Sequence, residues 1–168
     1  MQRCLILSAG VGGGHVRAAD ALVKWFTRLH PEIVVRHVDA LDYVTEAMRI
    51  AYVVPYLEMV SRVPEVWGYL YKRSLDKKID SKTNKIRSIA SKMQAGALHS
   101  LIEEFRPDHI LATHFLPLDV LTTKGGKRRW PTPVSTVITD YGVHSFWLRS
   151  WVDRYFVANE ECAAAMVR

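Results

Sequence analysis

Short apolar runs alternate along this chain with longer segments of helical periodicity. The apolar runs predict β-strands at residues 5–7, 33–38, 109–113, 134–138 and 154–158. Segments in which apolar residues recur at helix spacing predict helices at 18–29, 84–105, 117–123 and 160–168. Strands that alternate with helices in this way predict an α/β fold, a doubly wound, Rossmann-like arrangement around a parallel sheet.

The turn after the first predicted strand is rich in glycine and ends in a histidine, reading SAGVGGGH over residues 8–15. A glycine turn between a strand and a helix is typical of anion sites, because the first backbone N–H groups of a helix are unpaired and attract phosphate. The dinucleotide fingerprint would require glycine at position 15, and the phosphate-loop pattern would require Gly-Lys-Ser/Thr; neither is present. The loop therefore predicts phosphate binding beside a titratable base, His15, with a simple glycine turn as the alternative.

Polar side chains also follow other predicted strands. His114 follows the third strand, and Asp140 and His144 follow the fourth. Ligands of open α/β sheets lie beyond the C-terminal ends of the strands, so we expect these side chains to share a crevice with His15. The acidic residue after the second strand, Asp39 or Asp42, is either a ribose ligand or a helix cap, and capping preference favours the cap.

The region between about residues 43 and 93 lacks strand signals and is too long for a simple crossover. It predicts a helical insertion with breaks at Pro55 and Pro64. Aromatic residues flanked by basic ones are typical of helices that lie on anionic lipid, whereas packing in the protein's own core is the alternative. The candidate membrane- or acceptor-contacting residues are Tyr52, Tyr56, Trp67, Tyr69, Lys72 and Arg73.

The bulk composition narrows the picture only slightly. The 168 residues suit one domain and carry a formal net charge of +6, which fits a phosphate-bearing ligand, nucleic acid or an anionic membrane surface. The basic stretch 124–130 is either a further phosphate or membrane contact or a solvated connection. The two cysteines, Cys4 and Cys162, have no metal spacing and indicate a reduced interior; we expect no signal peptide and no membrane span.

Three segments together resemble the N-terminal domain of the diacylglycerol glycosyltransferases. They are LILSAGVGGGHVRAADAL at 5–22, ATHFLPLDVL at 112–121 and VITDYGVHSFWLRSWVDRYFVANEE at 137–161. This group contains the processive bacterial diacylglycerol glucosyltransferases and the plant monogalactosyldiacylglycerol synthases of glycosyltransferase family 28. The resemblance implies the N-terminal half of a GT-B enzyme, with residues 1–168 as the acceptor-binding domain and a C-terminal nucleotide-sugar domain absent from this sequence.

The resemblance also implies a role for each candidate residue. His15 would be the general base that takes the proton from the sn-3 hydroxyl of diacylglycerol, with inversion at the anomeric carbon of a UDP-sugar. Gly12, Gly13 and Gly14 would stabilise the diphosphate leaving group. The supporting cleft residues would be Asp140, His144 and His114.

The partners follow from the same resemblance. They are diacylglycerol, anionic membrane lipid and a donor-binding domain or separate chain, with no nucleic acid, no metal and no cofactor beyond the UDP-sugar co-substrate. We expect a cytoplasmic protein, peripheral on the inner face of the membrane, whose isolated chain does not turn over. The alternatives are a non-enzymatic basic module that binds membrane surfaces, and the acceptor half of a split glycosyltransferase with a different lipid acceptor.

Overall fold

The computed structural model describes most of the chain outside the predicted insertion. The described residues are 1–11, 13–47, 49–50, 96–123, 125–143 and 145–167. The predicted insertion therefore lies largely outside the described residues, as do all six of its candidate contact residues. None of the described helices is both long and apolar enough to cross a bilayer.

The described strands form one parallel sheet in the order β2-β1-β3-β4-β5. Their bounds are β1 (Arg3–Ser8), β2 (Val34–Asp39), β3 (His109–Ala112), β4 (Val134–Val137) and β5 (Arg154–Phe156). All five predicted strands are present. The three inner strands, β1, β3 and β4, are largely buried, and buried parallel strands have nearly continuous apolar sequences. The fourth and fifth end earlier than predicted, at Val137 and Phe156.

Helices cover both faces of this sheet. They are α1 (Gly13–Leu29), α2 (Gly96–Phe105), α3 (Phe115–Val120) and α4 (Glu160–Val167), with a 3-10 helix at Ala40–Tyr43. The helix predicted over 117–123 is thus displaced towards the N-terminus. It begins at Phe115 because the His114 side chain caps its first turn. The prediction of a Rossmann-like α/β fold is confirmed.

The core divides between the two faces of β1, whose side chains alternate. Ile6 lies with Ala19 of α1 and Leu111 of β3 on one face. Leu5 and Leu7 lie on the other face, in the larger cluster that includes Ile102 of α2 and Leu118 of α3. Burying such side chains contributes roughly 1.5–3 kcal/mol each, so both helical layers are held firmly against β1.

Side chains cap two of the described helices, and the cap by Asp39 confirms the capping interpretation. The Asn159 side chain accepts a hydrogen bond from the Cys162 backbone N–H at 2.8 Å and starts α4. Asp39 Oδ1 accepts from the Leu41 N–H at 2.9 Å and starts the 3-10 helix, as the capping interpretation required.

The other carboxylate oxygen of Asp39 lies only 2.5 Å from the position that a Cβ on Gly10 would occupy. The close approach of this carboxylate therefore explains why residue 10 is glycine.

The strand order creates a switch point between β1 and β3. The chain leaves β1 on one side to form β2 and later returns across β1 to form β3 on the other side. In open α/β sheets the crevice at such a point, beyond the C-terminal strand ends, is where ligands bind. The glycine turn follows β1 at this edge, and His114 follows β3 at the same edge.

Candidate functional site

The side chains at the switch point converge on the ring of His15, in the first turn of α1. Its Nδ1 lies 3.0 Å from the carbonyl oxygen of Thr113 and 2.6 Å from Oγ1 of Thr139. Thr113 follows β3 and Thr139 lies just beyond β4. The candidate base is therefore held by residues at the ends of two neighbouring strands.

These contacts assign the proton on the neutral His15 ring. A carbonyl oxygen only accepts hydrogen bonds, so the contact with Thr113 requires a proton on Nδ1. In neutral imidazole the other nitrogen, Nε2, then carries the lone pair. The ring is thus in the tautomer that a general base needs if Nε2 is the proton acceptor.

Thr113 holds the backbone of His15 as well as its ring. The Thr113 hydroxyl donates to the His15 carbonyl oxygen at 2.9 Å, and Thr113 is fully buried. One residue at the end of β3 therefore fixes both the first turn of α1 and the orientation of the imidazole.

The second predicted histidine of the crevice, His114, packs edge-on against His15, with ring centroids 4.4 Å apart. His114 is buried, and its Nδ1 accepts a hydrogen bond from the Leu116 backbone N–H at 3.0 Å. Its proton therefore lies on Nε2, the opposite tautomer to that of His15. Of these two rings in contact, the neutral His15 ring therefore has a hydrogen-bond acceptor at Nε2 and the His114 ring has a hydrogen-bond donor there.

Asp140 supports the two rings through a tryptophan. The fully buried Trp147 donates from Nε1 to Asp140 Oδ2 at 2.8 Å. The ring centroid of Trp147 lies 6.2 Å from that of His15 and 6.1 Å from that of His114. Asp140 thus orients a buried aromatic ring close to both histidines.

A buried ion pair holds the segment that carries Trp147. Arg149 pairs with Asp119 of α3, and the two side chains are 7% and 9% exposed. Arg149 also donates to the carbonyl oxygens of Phe146 and Leu148, at 2.9 and 2.8 Å. The pair therefore fastens the loop after β4 to the helix after β3.

The remaining predicted site residues are placed only in part. Gly13 and Gly14 are the first two residues of α1, directly before His15. A Cβ at Gly14 would meet nothing within 4 Å, and one at Gly13 would meet only Arg17 Nε at 3.9 Å. Packing within the described chain therefore does not demand glycine at either position. Gly12 and His144 lie outside the described residues.

Sequence reasoning missed Thr113, Thr139 and Trp147. The two threonines directly precede His114 and Asp140, so the signal that placed those residues at strand ends applied to the threonines equally. Threonine does not titrate near neutral pH, so its side chain does not by itself indicate a catalytic base. Trp147 gave no signal in the sequence, because an aromatic residue in a polar loop can be either buried or exposed.

A serine, a histidine and an aspartate contact one another near the crevice, but the serine is too buried to act in a catalytic triad. Ser8 Oγ is 2.9 Å from His37 Nε2, and His37 Nδ1 is 3.3 Å from Asp20 Oδ1. Ser8 is fully buried, so its hydroxyl is closed to substrate. These contacts join β1, β2 and α1 beneath the glycine turn.

Two arginines of the basic stretch 124–130 contact other side chains of the protein. Arg128 pairs with Asp153, and Arg129 lies over the Trp130 ring with its guanidinium carbon 5.6 Å from the ring centroid. The pKa of Asp153 is lowered mainly because its carboxylate accepts a hydrogen bond from the Val134 N–H, and the positive charge of Arg128 lowers it further. Both arginine side chains are therefore engaged in contacts within the protein.

The two cysteines are both free thiols and both buried. Burial raises the pKa of Cys4 to about 11, which makes its thiol a poor nucleophile at neutral pH.

Comparison with known proteins points to one family. The family model for monogalactosyldiacylglycerol (MGDG) synthase matches residues 15–168. A processive diacylglycerol beta-glucosyltransferase of Bacillus subtilis (strain 168) is 30% identical over 95% of this chain, and one of Bacillus cereus (strain B4264) is 27% identical over 98%. The chain spans 40% and 41% of the length of these relatives. Among solved structures, an azoreductase from Bacillus anthracis str. Sterne superposes with a TM-score of 0.41 at 12% identity, covering 99% of this chain and 94% of that one; this likeness carries no functional argument.

Proposed function

Because this chain belongs to the monogalactosyldiacylglycerol (MGDG) synthase family, we propose that it is the acceptor-binding part of a glycolipid-forming hexosyltransferase. The reaction transfers a hexosyl group from a UDP-sugar to the sn-3 hydroxyl of diacylglycerol. The observation that carries the proposal is the contact of His15 Nδ1 with the Thr113 carbonyl oxygen, because it leaves Nε2 as the proton acceptor of the neutral ring.

The proposed step balances as a single displacement. Nε2 of His15 takes the proton of the acceptor hydroxyl while that oxygen forms a bond to the anomeric carbon. The bond from this carbon to the donor diphosphate breaks, and its electron pair leaves with the diphosphate. Attack from the side opposite the leaving group inverts the anomeric configuration.

The leaving diphosphate is assigned to the N-terminal end of α1. Unpaired backbone N–H groups and the helix dipole favour anions there, and donors aimed at developing charge are usually the largest electrostatic contribution to catalysis. The open space around Gly13 and Gly14 supports this assignment, since packing does not account for their lack of a side chain. We assign the same function to Gly12.

The remaining partners of the reaction are assigned to regions beyond this crevice. We propose that the insertion between about residues 43 and 93 contacts the acceptor and anionic lipid, and that a donor-binding domain or separate chain supplies the nucleotide-sugar. The net charge of +6 supports contact with an anionic surface. His114 and Asp140 then serve the acceptor side of the crevice, one as a fixed donor and the other through Trp147.

The test replaces the matching segment of the Bacillus subtilis relative with this chain and measures hexosyl transfer to diacylglycerol. Since general base catalysis typically contributes 10²–10⁴-fold, His15→Ala should lower kcat by about 10²-fold or more. His30→Ala, at the other end of α1, is the matched control and should leave kcat unchanged. A His15→Ala chimera with the activity of the parent would refute the assignment of the base.

Liposome co-sedimentation of the 168-residue chain tests the membrane assignment separately. Binding should require anionic lipid and strengthen when diacylglycerol is included. A basic module without acceptor specificity would bind anionic vesicles equally with and without diacylglycerol.

A further inference from the structure

The short contact between Thr139 and His15 has a chemical role that the family match does not assign. We infer that Thr139 is a positioning residue: together with the Thr113 carbonyl oxygen it keeps the proton of neutral His15 on Nδ1 and so keeps Nε2 as the proton acceptor. The inference rests on the proposed function of His15 as the general base.

Two hydrogen arrangements are conceivable at these distances. In the first, Nδ1–H donates to both the Thr113 carbonyl oxygen at 3.0 Å and Thr139 Oγ1 at 2.6 Å. In the second, the Thr139 hydroxyl donates to a bare Nδ1, and the lone pair of Nδ1 then faces the lone pairs of the Thr113 carbonyl. The first arrangement satisfies both oxygens and the second creates a repulsive contact, so the first is favoured.

The favoured arrangement serves both protonation states of His15. When Nε2 accepts a proton, Nδ1–H still donates to the same two oxygens, and no side chain has to rotate. Hydrogen bonds from a charged donor are about twice as strong as neutral ones, so the two oxygens stabilise the imidazolium more than the neutral ring. A carboxylate performs this task in Ser-His-Asp triads; here a hydroxyl and a peptide carbonyl perform it.

Two other titratable residues of the described chain lie near the ring. His114 faces His15 from the end of β3, and Asp140 lies behind Trp147 at the end of β4. Both remain in place when only the Thr139 side chain changes. Thr139 is partly buried, so Thr139→Val removes the hydroxyl with little change of shape and Thr139→Ser restores it.

The experiment is a nitrogen-15 NMR titration of the imidazole of His15 in the 168-residue chain, in wild type, Thr139→Val and Thr139→Ser. Wild type and the serine variant should show the Nδ1–H tautomer. In the valine variant the pKa of His15 should fall by about one pH unit, a roughly tenfold loss of proton affinity, because the imidazolium loses one acceptor. Backbone amide spectra report the fold, and Thr139→Ala replaces the valine variant if that spectrum changes.

Two results would overturn the inference. One is a wild-type ring with its proton on Nε2. The other is a valine or alanine variant whose His15 tautomer and pKa equal those of wild type.

Activity of the chimera separates this inference from the proposed function. Thr139→Val should lower kcat about tenfold, leave KM for the lipid unchanged and move the acidic limb of the pH profile to lower pH, while serine restores all three. An active His15→Ala chimera would refute the proposed function even with the NMR result intact. If the His15→Ala chimera is inactive but Thr139→Val changes neither the activity nor the pH profile, only the inference about Thr139 is refuted.

Discussion

The buried Arg149–Asp119 pair makes a quantitative prediction about stability. Arg149→Met removes the cation but keeps the volume of an unbranched side chain. The Asp119 carboxylate, 9% exposed, then loses its guanidinium, and the carbonyl oxygens of Phe146 and Leu148 lose a shared donor. Removing one partner of a buried pair costs about 3–5 kcal/mol of unfolding free energy, so we expect a loss in that range.

The magnitude translates into a large thermal shift. For a domain of this size, about 1 kcal/mol corresponds to a Tm change of roughly 2–4 °C, so Arg149→Met should lower Tm by roughly 6–20 °C. Urea unfolding followed by tryptophan fluorescence gives the free energy, and a thermal scan by circular dichroism gives Tm. Fluorescence suits this variant because Trp147 sits on the segment that Arg149 fastens.

A matched control and a double variant sharpen the prediction. Arg128→Met breaks a pair of the same type whose side chains are 25% and 45% exposed, and exposed pairs contribute about 0–1 kcal/mol. Asp119→Leu combined with Arg149→Met removes both charges and should recover much of the stability lost in the single variant. Equal destabilisation by the two arginine variants, or no recovery in the double variant, would refute the reasoning that burial sets the strength of this pair.

Two further predictions concern pH and the glycine turn. Burial lowers the pKa of His99 and His109 below 6.5, so the unfolded state binds more protons than the folded state in acid. The midpoint of urea unfolding should therefore be highest above pH 6.5 and fall as the pH drops below 6.5. Replacing both histidines, in the double variant His99→Gln and His109→Gln, should reduce this dependence on pH. Gly10→Ala places a Cβ 2.5 Å from Asp39 Oδ2 and should lower the free energy of unfolding by about 1–3 kcal/mol, because it displaces that capping carboxylate. A Cβ at Gly14 would meet nothing within 4 Å, so Gly14→Ala should leave the stability in urea equal or higher. It should nevertheless lower the turnover of the chimera. Equal urea midpoints for the two alanine variants would contradict the steric argument.

The strands and caps were predictable because their causes are local. Buried parallel strands must be apolar along their whole length, so residues 5–7 and 109–113 stood out in the sequence. Asp39 and Asn159 precede helical segments and have the side chains that cap them. The meeting of His15 with His114 also followed from sequence, since C-terminal ends of neighbouring parallel strands share one edge.

The contacts that set the chemistry were beyond sequence reasoning because they depend on register and backbone direction. Whether Thr139 or Asp140 turns towards His15 is decided by the path of the chain after β4, which composition does not encode. The Arg149–Asp119 pair joins residues 30 positions apart, and nothing local distinguishes either partner from a solvated charge. Such pairings emerge only when the sheet has fixed the positions of the loops.

The span of chain between His15 and its two ring partners links chemical competence to completion of folding. The Thr113 carbonyl is 98 positions away along the chain, and the Thr139 hydroxyl is 124 positions away. His15 therefore acquires its tautomer only after β3 has paired with β1 and β4 has paired with β3, late events for pairings so distant in sequence. A nascent or partly unfolded chain carries the imidazole without its orienting partners. The protonation pattern of one ring thus reports whether β1, β3 and β4 have assembled.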